Sequence, residues 1–188
     1  QFGDVWIEFE PTESEELVFE TNVFGGSVPK NFFPAVEKGL QDAMATGVAG
    51  FPMTHLAADL YDGSYHAVDS DEVSFKTAAS LAYKKCLELA APVLLEPVGE
   101  AKIVVPDGIV GDIIGDINSR RGQIVTMEPG NGATEVHAVV PLANMFGYAT
   151  DLRSKTQGRG VYAMEPCGFE QVPKSIQEEI VAKRSKAN

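Results

Sequence analysis

The chain has 188 residues, of which 44% are apolar, and carries a formal net charge of −12. This length suits one large domain or two small ones, each able to bury a core. The chain contains no apolar run of the roughly 20 residues that a membrane-spanning helix needs, and its two cysteines, Cys86 and Cys167, cannot make a disulfide framework. We therefore expect a cytoplasmic protein with reduced cysteines. Because Gln1 runs directly into a strand pattern without an initiator methionine, we interpret the chain as part of a longer protein.

Charge is distributed unevenly along the chain. Residues 1–97 hold 16 acidic and 5 basic side chains, a net charge of −11, whereas residues 98–188 hold 11 and 10, a net charge of −1. The acidic balance argues against nucleic acid as a partner. The basic residues of the second half are clustered, however, and such a cluster is either a solvated face or a phosphate-binding patch. The clusters consist of Arg120 with Arg121, and of Arg153 with Lys155 and Arg159.

The first half of the chain predicts the element order ββαβα. Val5, Ile7 and Phe9 occupy every second position, which indicates a strand with one buried face. A polar loop and a helix end this half; Asp69 or Ser70 is expected to cap the helix, and Pro92 to stop it. The other elements are a strand over 17–23, a helix over 35–46 and an extended segment over 50–60, followed by the loop over 61–70 and a helix whose buried stripe is Phe75, Ala79, Ala82, Cys86 and Leu89.

The second half predicts the order βαββαβ, which is typical of a split-βαβ, ferredoxin-like domain. The Pro129-Gly130-Asn131-Gly132 segment is a strong hairpin signal between its two middle strands. Strands are expected over 101–105, 123–127, 134–140 and 161–164, a first helix carries Ile109, Ile113, Ile114 and Ile117, a second carries Leu142, Met145, Phe146 and Ala149 before a basic turn, and 173–184 form a closing helix. The fold class is thus α+β with two domains, 1–97 and 98–188.

Several kinds of chemistry are not indicated. A Gly-x-x-x-x-Gly-Lys-Ser/Thr phosphate loop is missing, so the chain is expected not to bind GTP. The 61–70 loop contains Asp, Ser and His, the residue types of a hydrolytic triad. A triad also needs an oxyanion hole and a rigid support, and the sequence indicates neither. We assign neither catalytic residues nor a metal site, since no Cys/His cluster has zinc-ligand spacing. Tyr65 is an aromatic residue in a polar loop, and such a residue can stack on a nucleotide or donate a hydrogen bond to a phosphate.

Two segments resemble translation elongation factor G. Residues 146–160, with the sequence FGYATDLRSKTQGRG, match a segment near the carboxyl end of that family almost letter for letter. Residues 62–70, with the sequence DGSYHAVDS, look like the tip loop with which the family reaches into the decoding site of the ribosome. Residues 111–124 (GDIIGDINSRRGQI) and 172–176 (VPKSI) extend the resemblance over essentially the whole chain.

The resemblance implies that the chain is the last two of five domains, called IV and V. It implies an elongated first domain with a left-handed βαβ crossover, against the general rule, and a ferredoxin-like second domain. The parent would be a GTPase that drives movement of tRNA and mRNA, with GTP and Mg²⁺ held by an N-terminal domain outside this sequence. The resemblance implies that the ribosome is the partner, contacted through rRNA, ribosomal proteins and the tRNA–mRNA pair at the decoding site. It also implies a monomer that does not bind membranes.

The family's functional residues carry over onto particular positions of this sequence. The decoding-site tip loop corresponds to Ser64, Tyr65, His66, Asp69 and Ser70, whereas Ala67 departs from the family, in which an Asp commonly follows the His. A turn near the same end corresponds to Gly25, Gly26 and Pro29, and the ribosome contacts of the second half are assigned to Arg120, Arg121, Arg153, Lys155 and Arg159. The alternatives are a paralogous factor, a tetracycline ribosome-protection factor and a stand-alone ferredoxin-like binding module.

Overall fold

The structure is a computed structural model that describes residues 1–187. The chain forms two compact units. The first consists of residues 1–93 together with the C-terminal helix, and the second consists of residues 94–173. No helix in the described residues is both long and apolar enough to cross a membrane. The first unit contains β1 (Asp4–Pro11), β2 (Val18–Thr21), α1 (Phe33–Met44), β3 (Leu56–Ser64) and α2 (Glu72–Ala90). The second contains β4 (Leu95–Pro106), α3 (Val110–Ser119), β5 (Gln123–Pro129), β6 (Ala133–Pro141), α4 (Tyr148–Thr156) and β7 (Val161–Gln171), and α5 (Lys174–Ala187) follows.

The first unit is a three-stranded sheet packed against two helices. Its strand order is β1-β3-β2, with β1 antiparallel and β2 parallel to the central β3. The predicted ββαβα order is confirmed, and β2, α1 and β3 form the βαβ unit whose left-handed crossover stays a prediction. Leu40 of α1, Leu60 of β3 and Phe75 of α2 are fully buried in the shared core. A methyl group on Gly39 would lie 2.6 Å from the Lys76 carbonyl oxygen, so glycine lets α1 and α2 approach closely.

Two details of the predicted α2 are wrong. Its N-cap is Asp71, whose carboxylate accepts the Ser74 N–H at 2.7 Å, because Ser70 is used inside the preceding loop. Leu89 is exposed, since the buried stripe of α2 ends at Tyr83 and the partly buried Leu87, and the last turn of the helix lies in solvent.

The second unit confirms the ferredoxin-like prediction. Its four strands are ordered β5-β6-β4-β7 and every neighbouring pair is antiparallel. Ile103 of β4, Ile113 and Ile117 of α3, and Tyr148 and Leu152 of α4 lie in one core, between the sheet and the two helices.

The predicted helix over Leu142 to Ala149 is wrong in its position. Residues 142–144 form a short 3₁₀ turn, and α4 begins only at Tyr148. Gly147 has φ 75°, a left-handed conformation that interrupts a helix and that glycine adopts without strain. Phe146, expected on the buried stripe, is consequently exposed, and the basic residues Arg153 and Lys155 lie on α4 itself and not in a turn after it.

The predicted domain limits also differ from the structure. The boundary lies between Val93 and Leu94, because Pro97 is inside β4, opposite Phe169 of β7. The closing helix α5, expected in the second domain, belongs to the first unit. Arg184 holds it there: its Nη1 donates to the Ala49 carbonyl oxygen at 2.9 Å, and its guanidinium carbon lies 3.8 Å from the centre of the Phe51 ring.

Candidate functional site

Three segments of the first unit meet at one end of its sheet. Because β2 and β3 are parallel, their C-terminal ends lie at the same end of the sheet. The antiparallel β1 begins at this end, where Asp4 is paired with Ser64, the last residue of β3. The Asn22 N–H donates to the Leu60 carbonyl oxygen at 2.9 Å, which continues the pairing beyond β2. We call residues 1–4, 22–29 and 65–71 together the tip.

The 65–71 loop is held in one shape by contacts with Phe2. The Ser70 hydroxyl accepts the His66 N–H at 2.9 Å and donates to the Phe2 carbonyl oxygen at 2.8 Å. The Phe2 N–H donates to the Asp69 carbonyl oxygen at 2.8 Å, and the Phe2 and His66 rings stack with centroids 3.9 Å apart. Three of the predicted tip-loop residues, His66, Asp69 and Ser70, therefore maintain the shape of the loop.

Ser64 lies at the base of the loop rather than within it. The predicted loop began at residue 61, but β3 extends to Ser64, whose hydroxyl donates to the Asp4 carboxylate at 2.9 Å. Two positions before it, the backbone N–H of Gly63 lowers the pKa of the Asp62 carboxyl. The Ser74 hydroxyl and then the Ser74 N–H lower the pKa of Asp71 in the same way.

Among the five residues predicted for the tip loop, Tyr65 is the one whose side chain is free to meet a partner. Its side chain is 45% exposed, and within residues 1–187 it has no hydrogen-bond, ion-pair or ring partner. The residues on either side hold the backbone through Ser64 and through the stacked His66. An aromatic ring on an anchored loop loses little conformational entropy when it binds, which suits it to recognition.

The predicted glycine turn belongs to the tip as well. Gly25 and Gly26 have φ values of 67° and 72°, so the turn needs a residue that adopts the left-handed region without strain. Val28 after them is fully buried, and Pro29 precedes a short 3₁₀ turn. A methyl group on Gly63 would lie 2.6 Å from Val28 Cγ2, which places this turn directly against the end of β3.

Three of the five clustered basic side chains of the second unit form salt bridges within that unit, namely Arg120, Arg121 and Lys155. Arg120 is only 16% exposed; its guanidinium pairs with Asp116 and Asp151 and donates to the Asn144 carbonyl oxygen at 2.9 Å. It also lies 4.9 Å from the centre of the Tyr148 ring. Burial, together with the Asp116 carboxylate, raises the pKa of Tyr148 to about 12. Arg120 is thus engaged within the second unit, and its assignment as a ribosome contact stays a prediction.

Arg121 and Lys155 are also engaged within the second unit. The Arg121 guanidinium makes a two-bond contact to the Glu96 carboxylate, at 2.7 Å and 2.8 Å, and this contact raises its pKa. Lys155 Nζ lies 3.0 Å from the Asp116 carboxylate. The guanidiniums of Arg153 and Arg159 are exposed and form no salt bridge within residues 1–187, although Arg159 Nε donates to the Thr156 carbonyl oxygen at 3.2 Å. Arg153 and Arg159 are therefore the members of the set that remain available.

Sequence reasoning missed the residue that organises this network. Asp116 forms ion pairs with both Arg120 and Lys155, and its side chain is 11% exposed. The spacing of four residues between Asp116 on α3 and Arg120 at the C-cap of that helix is a signal in the sequence, because side chains four residues apart face each other on a helix. The stacking of Phe2 on His66 had no such signal, since 64 positions separate the two rings in the sequence.

Two family models together match most of the chain. Residues 1–91 match the family model described as elongation factor G, domain IV, and residues 93–180 match the one described as elongation factor G C-terminus. The chain belongs to the elongation factor G family. A crystal structure of a protein from Thermus thermophilus superimposes with a TM-score of 0.85 at 41% identity, over 99% of this chain and 28% of that one. The elongation factor G resemblance of the sequence is thereby confirmed, and the two matched regions meet next to the boundary between the compact units.

Proposed function

We propose that this chain is the ribosome-contacting C-terminal part of a translational GTPase that moves tRNA and mRNA through the ribosome. Membership in the elongation factor G family supports the class of parent protein. The observation that carries the role of the first unit is Tyr65, an exposed ring on a loop that Phe2, His66 and Ser70 hold in place. In this proposal the tip enters the decoding site and acts by occupying space and by contacting RNA, without chemistry of its own.

We propose a separate contact for the second unit. Arg153 lies in the last turn of α4, and Arg159 follows the left-handed end of that helix at Gln157 and Gly158. Both guanidiniums offer planar donor forks that match phosphate oxygens. Two cations neutralise few phosphates, so this contact is expected to have modest affinity and a shallow dependence on salt.

Replacement of Tyr65 by Ala in the full-length factor is expected to slow mRNA movement by about tenfold, corresponding to about 1.4 kcal/mol of lost contact, while single-round GTP hydrolysis stays nearly unchanged. Fluorescence of a labelled mRNA and rapid phosphate release measure the two steps. Tyr61→Ala is the matched control, since its ring is 42% exposed but packs edge-on against Trp6 on the outer face of the sheet.

Three further results bear on the same experiment. Ser70→Ala is expected to slow movement as well, through loss of the hydrogen bonds to His66 and Phe2 that shape the loop. Tyr65→Phe keeps the ring and removes the hydroxyl, so its translocation rate shows which of the two groups makes the contact. Wild-type translocation by a Tyr65→Ala factor that is thermally intact would contradict the proposal.

The 188-residue chain itself is expected neither to bind nor to hydrolyse GTP, because its sequence has no phosphate loop. Isothermal titration of GTP with Mg²⁺ into the chain is expected to give only heats of dilution. Saturable binding at micromolar affinity would refute this expectation and would place a nucleotide site in one of the two units.

A further inference from the structure

The tip carries two large apolar side chains that lie almost wholly in solvent. Phe24 and Val68 are each 92% exposed, and within residues 1–187 no large apolar side chain is more exposed. They come from different segments of the tip, Phe24 from 22–29 and Val68 from 65–71. A single exposed apolar residue is common on protein surfaces, so exposure alone assigns no role to either residue; the surroundings of Phe24 do.

Phe24 lies on an anchored turn. Before it, Asn22 is fixed by two hydrogen bonds, from its N–H to the Leu60 carbonyl oxygen and from its Nδ2 to the Asp59 carboxylate, both 2.9 Å long. After it, Val28 is fully buried against the end of β3. The Phe24 ring is therefore presented to solvent between two fixed points, and its binding to a partner would order little additional chain.

The charge of the tip favours contacts with uncharged nucleobases over contacts with phosphate groups. Its segments contain Asp4, Asp69 and Asp71, and Asp62 lies at their base. The one basic side chain that adjoins these segments in the sequence is the exposed Lys30, directly after Pro29. Phosphate groups are bound chiefly by lysine and arginine and would be repelled by these carboxylates. Nucleobases are uncharged, and every base has a π face that stacks on an aromatic side chain.

We propose that the tip recognises RNA through its nucleobases and not through its phosphates, with Phe24 as a stacking residue in addition to Tyr65. This inference rests on the proposed entry of the tip into the decoding site. Val68 adds an exposed apolar side chain on the 65–71 segment of the tip. The acidic groups keep the tip off the phosphate backbone, so that it engages only where bases are accessible.

The first test uses the full-length factor on ribosomes programmed with mRNA and tRNA. Phe24→Ala is expected to slow mRNA movement by about tenfold and Phe24→Leu by nearly as much, whereas Phe24→Trp, which keeps a stacking ring, is expected to retain the parent rate. Phe169→Ala, which removes an exposed ring from the second unit, is the control and is expected to leave the rate unchanged. Thermal unfolding of the 188-residue chain, followed by the fluorescence of its single tryptophan Trp6, verifies that the Phe24 variants fold.

The second test distinguishes bases from phosphates. With the factor held on the ribosome by a non-hydrolysable GTP analogue, dimethyl sulfate reports base contacts and hydroxyl radicals report backbone contacts of the decoding-site RNA. Phe24→Ala is expected to expose a base that the parent protects, without change in backbone protection. Loss of backbone protection alone would overturn the inference, as would unchanged base reactivity.

The outcomes also separate this inference from the proposed function. A normal rate for Phe24→Ala together with a slow Tyr65→Ala would refute the role of Phe24 and leave the proposed function intact. Normal rates for both variants would refute the proposed function itself.

Discussion

Replacement of Arg120 by Ala is expected to lower the free energy of unfolding of the second unit by about 3 kcal/mol, because removing one partner of a nearly buried ion pair leaves the other charge without compensation. The Asp116 carboxylate would keep only Lys155, and the Asn144 carbonyl oxygen and the Asp151 carboxylate would each lose a donor. The guanidinium would also no longer cover the Tyr148 ring.

Hydrogen exchange of the β6 amides measures this loss in the intact chain, since β6 lies inside the second sheet. Trp6, the single tryptophan, belongs to the first unit, so its thermal transition is expected to stay in place. Arg153→Ala is the matched control: its exposed guanidinium has no salt bridge within residues 1–187, and the substitution should change stability by less than about 0.5 kcal/mol. Equal exchange protection in both variants would show that Arg120 does not stabilise the unit.

Replacement of Gly63 by Ala is expected to lower the free energy of unfolding of the first unit by about 3 kcal/mol. The added methyl group would overlap the Asp4 carbonyl oxygen and lie 2.6 Å from Val28 Cγ2. The backbone of β1 is held to β3 by strand pairing, and Val28 is fully buried, so neither neighbour can move away without breaking other contacts. Both junctions of the tip would be disturbed by this one change.

Trp6 fluorescence during thermal unfolding checks the result, because Trp6 is paired with Asp62 next to the substituted position. Gly25→Ala is the comparison within the same tip. Its methyl group would meet nothing within 4 Å, but φ is 67°, so only a strain of about 1 kcal/mol is expected. A Gly63→Ala protein with the unfolding midpoint of the parent would show that β1, β3 and the 22–29 turn are not closely packed at the tip.

The order of the elements was open to prediction because it depends on local patterns. Val5, Ile7 and Phe9 alternate in the sequence and pack against the first core, and the hairpin signal at residues 129–132 falls between β5 and β6. Errors arose where a local pattern ran across a break. The apolar spacing from Leu142 to Ala149 continues through Gly147, whose positive φ delays α4 until Tyr148.

The sequence by itself therefore determined the two α+β units, their element order and the family, together with the tip loop and the glycine turn as candidate segments. The tertiary structure decided which side chains are free to act. Ser70 is committed to Phe2, 68 positions away, Arg120 to Asp151, 31 positions away, and Arg184 holds α5 to Ala49 across 135 positions. Periodicity reports which face of an element is buried, because burial follows the local repeat of the backbone. Periodicity carries no information on which distant group a side chain contacts. Such contacts engage Ser70, Arg120 and Arg184 within the fold, and their absence within residues 1–187 leaves Tyr65, Phe24 and Arg153 available to a partner.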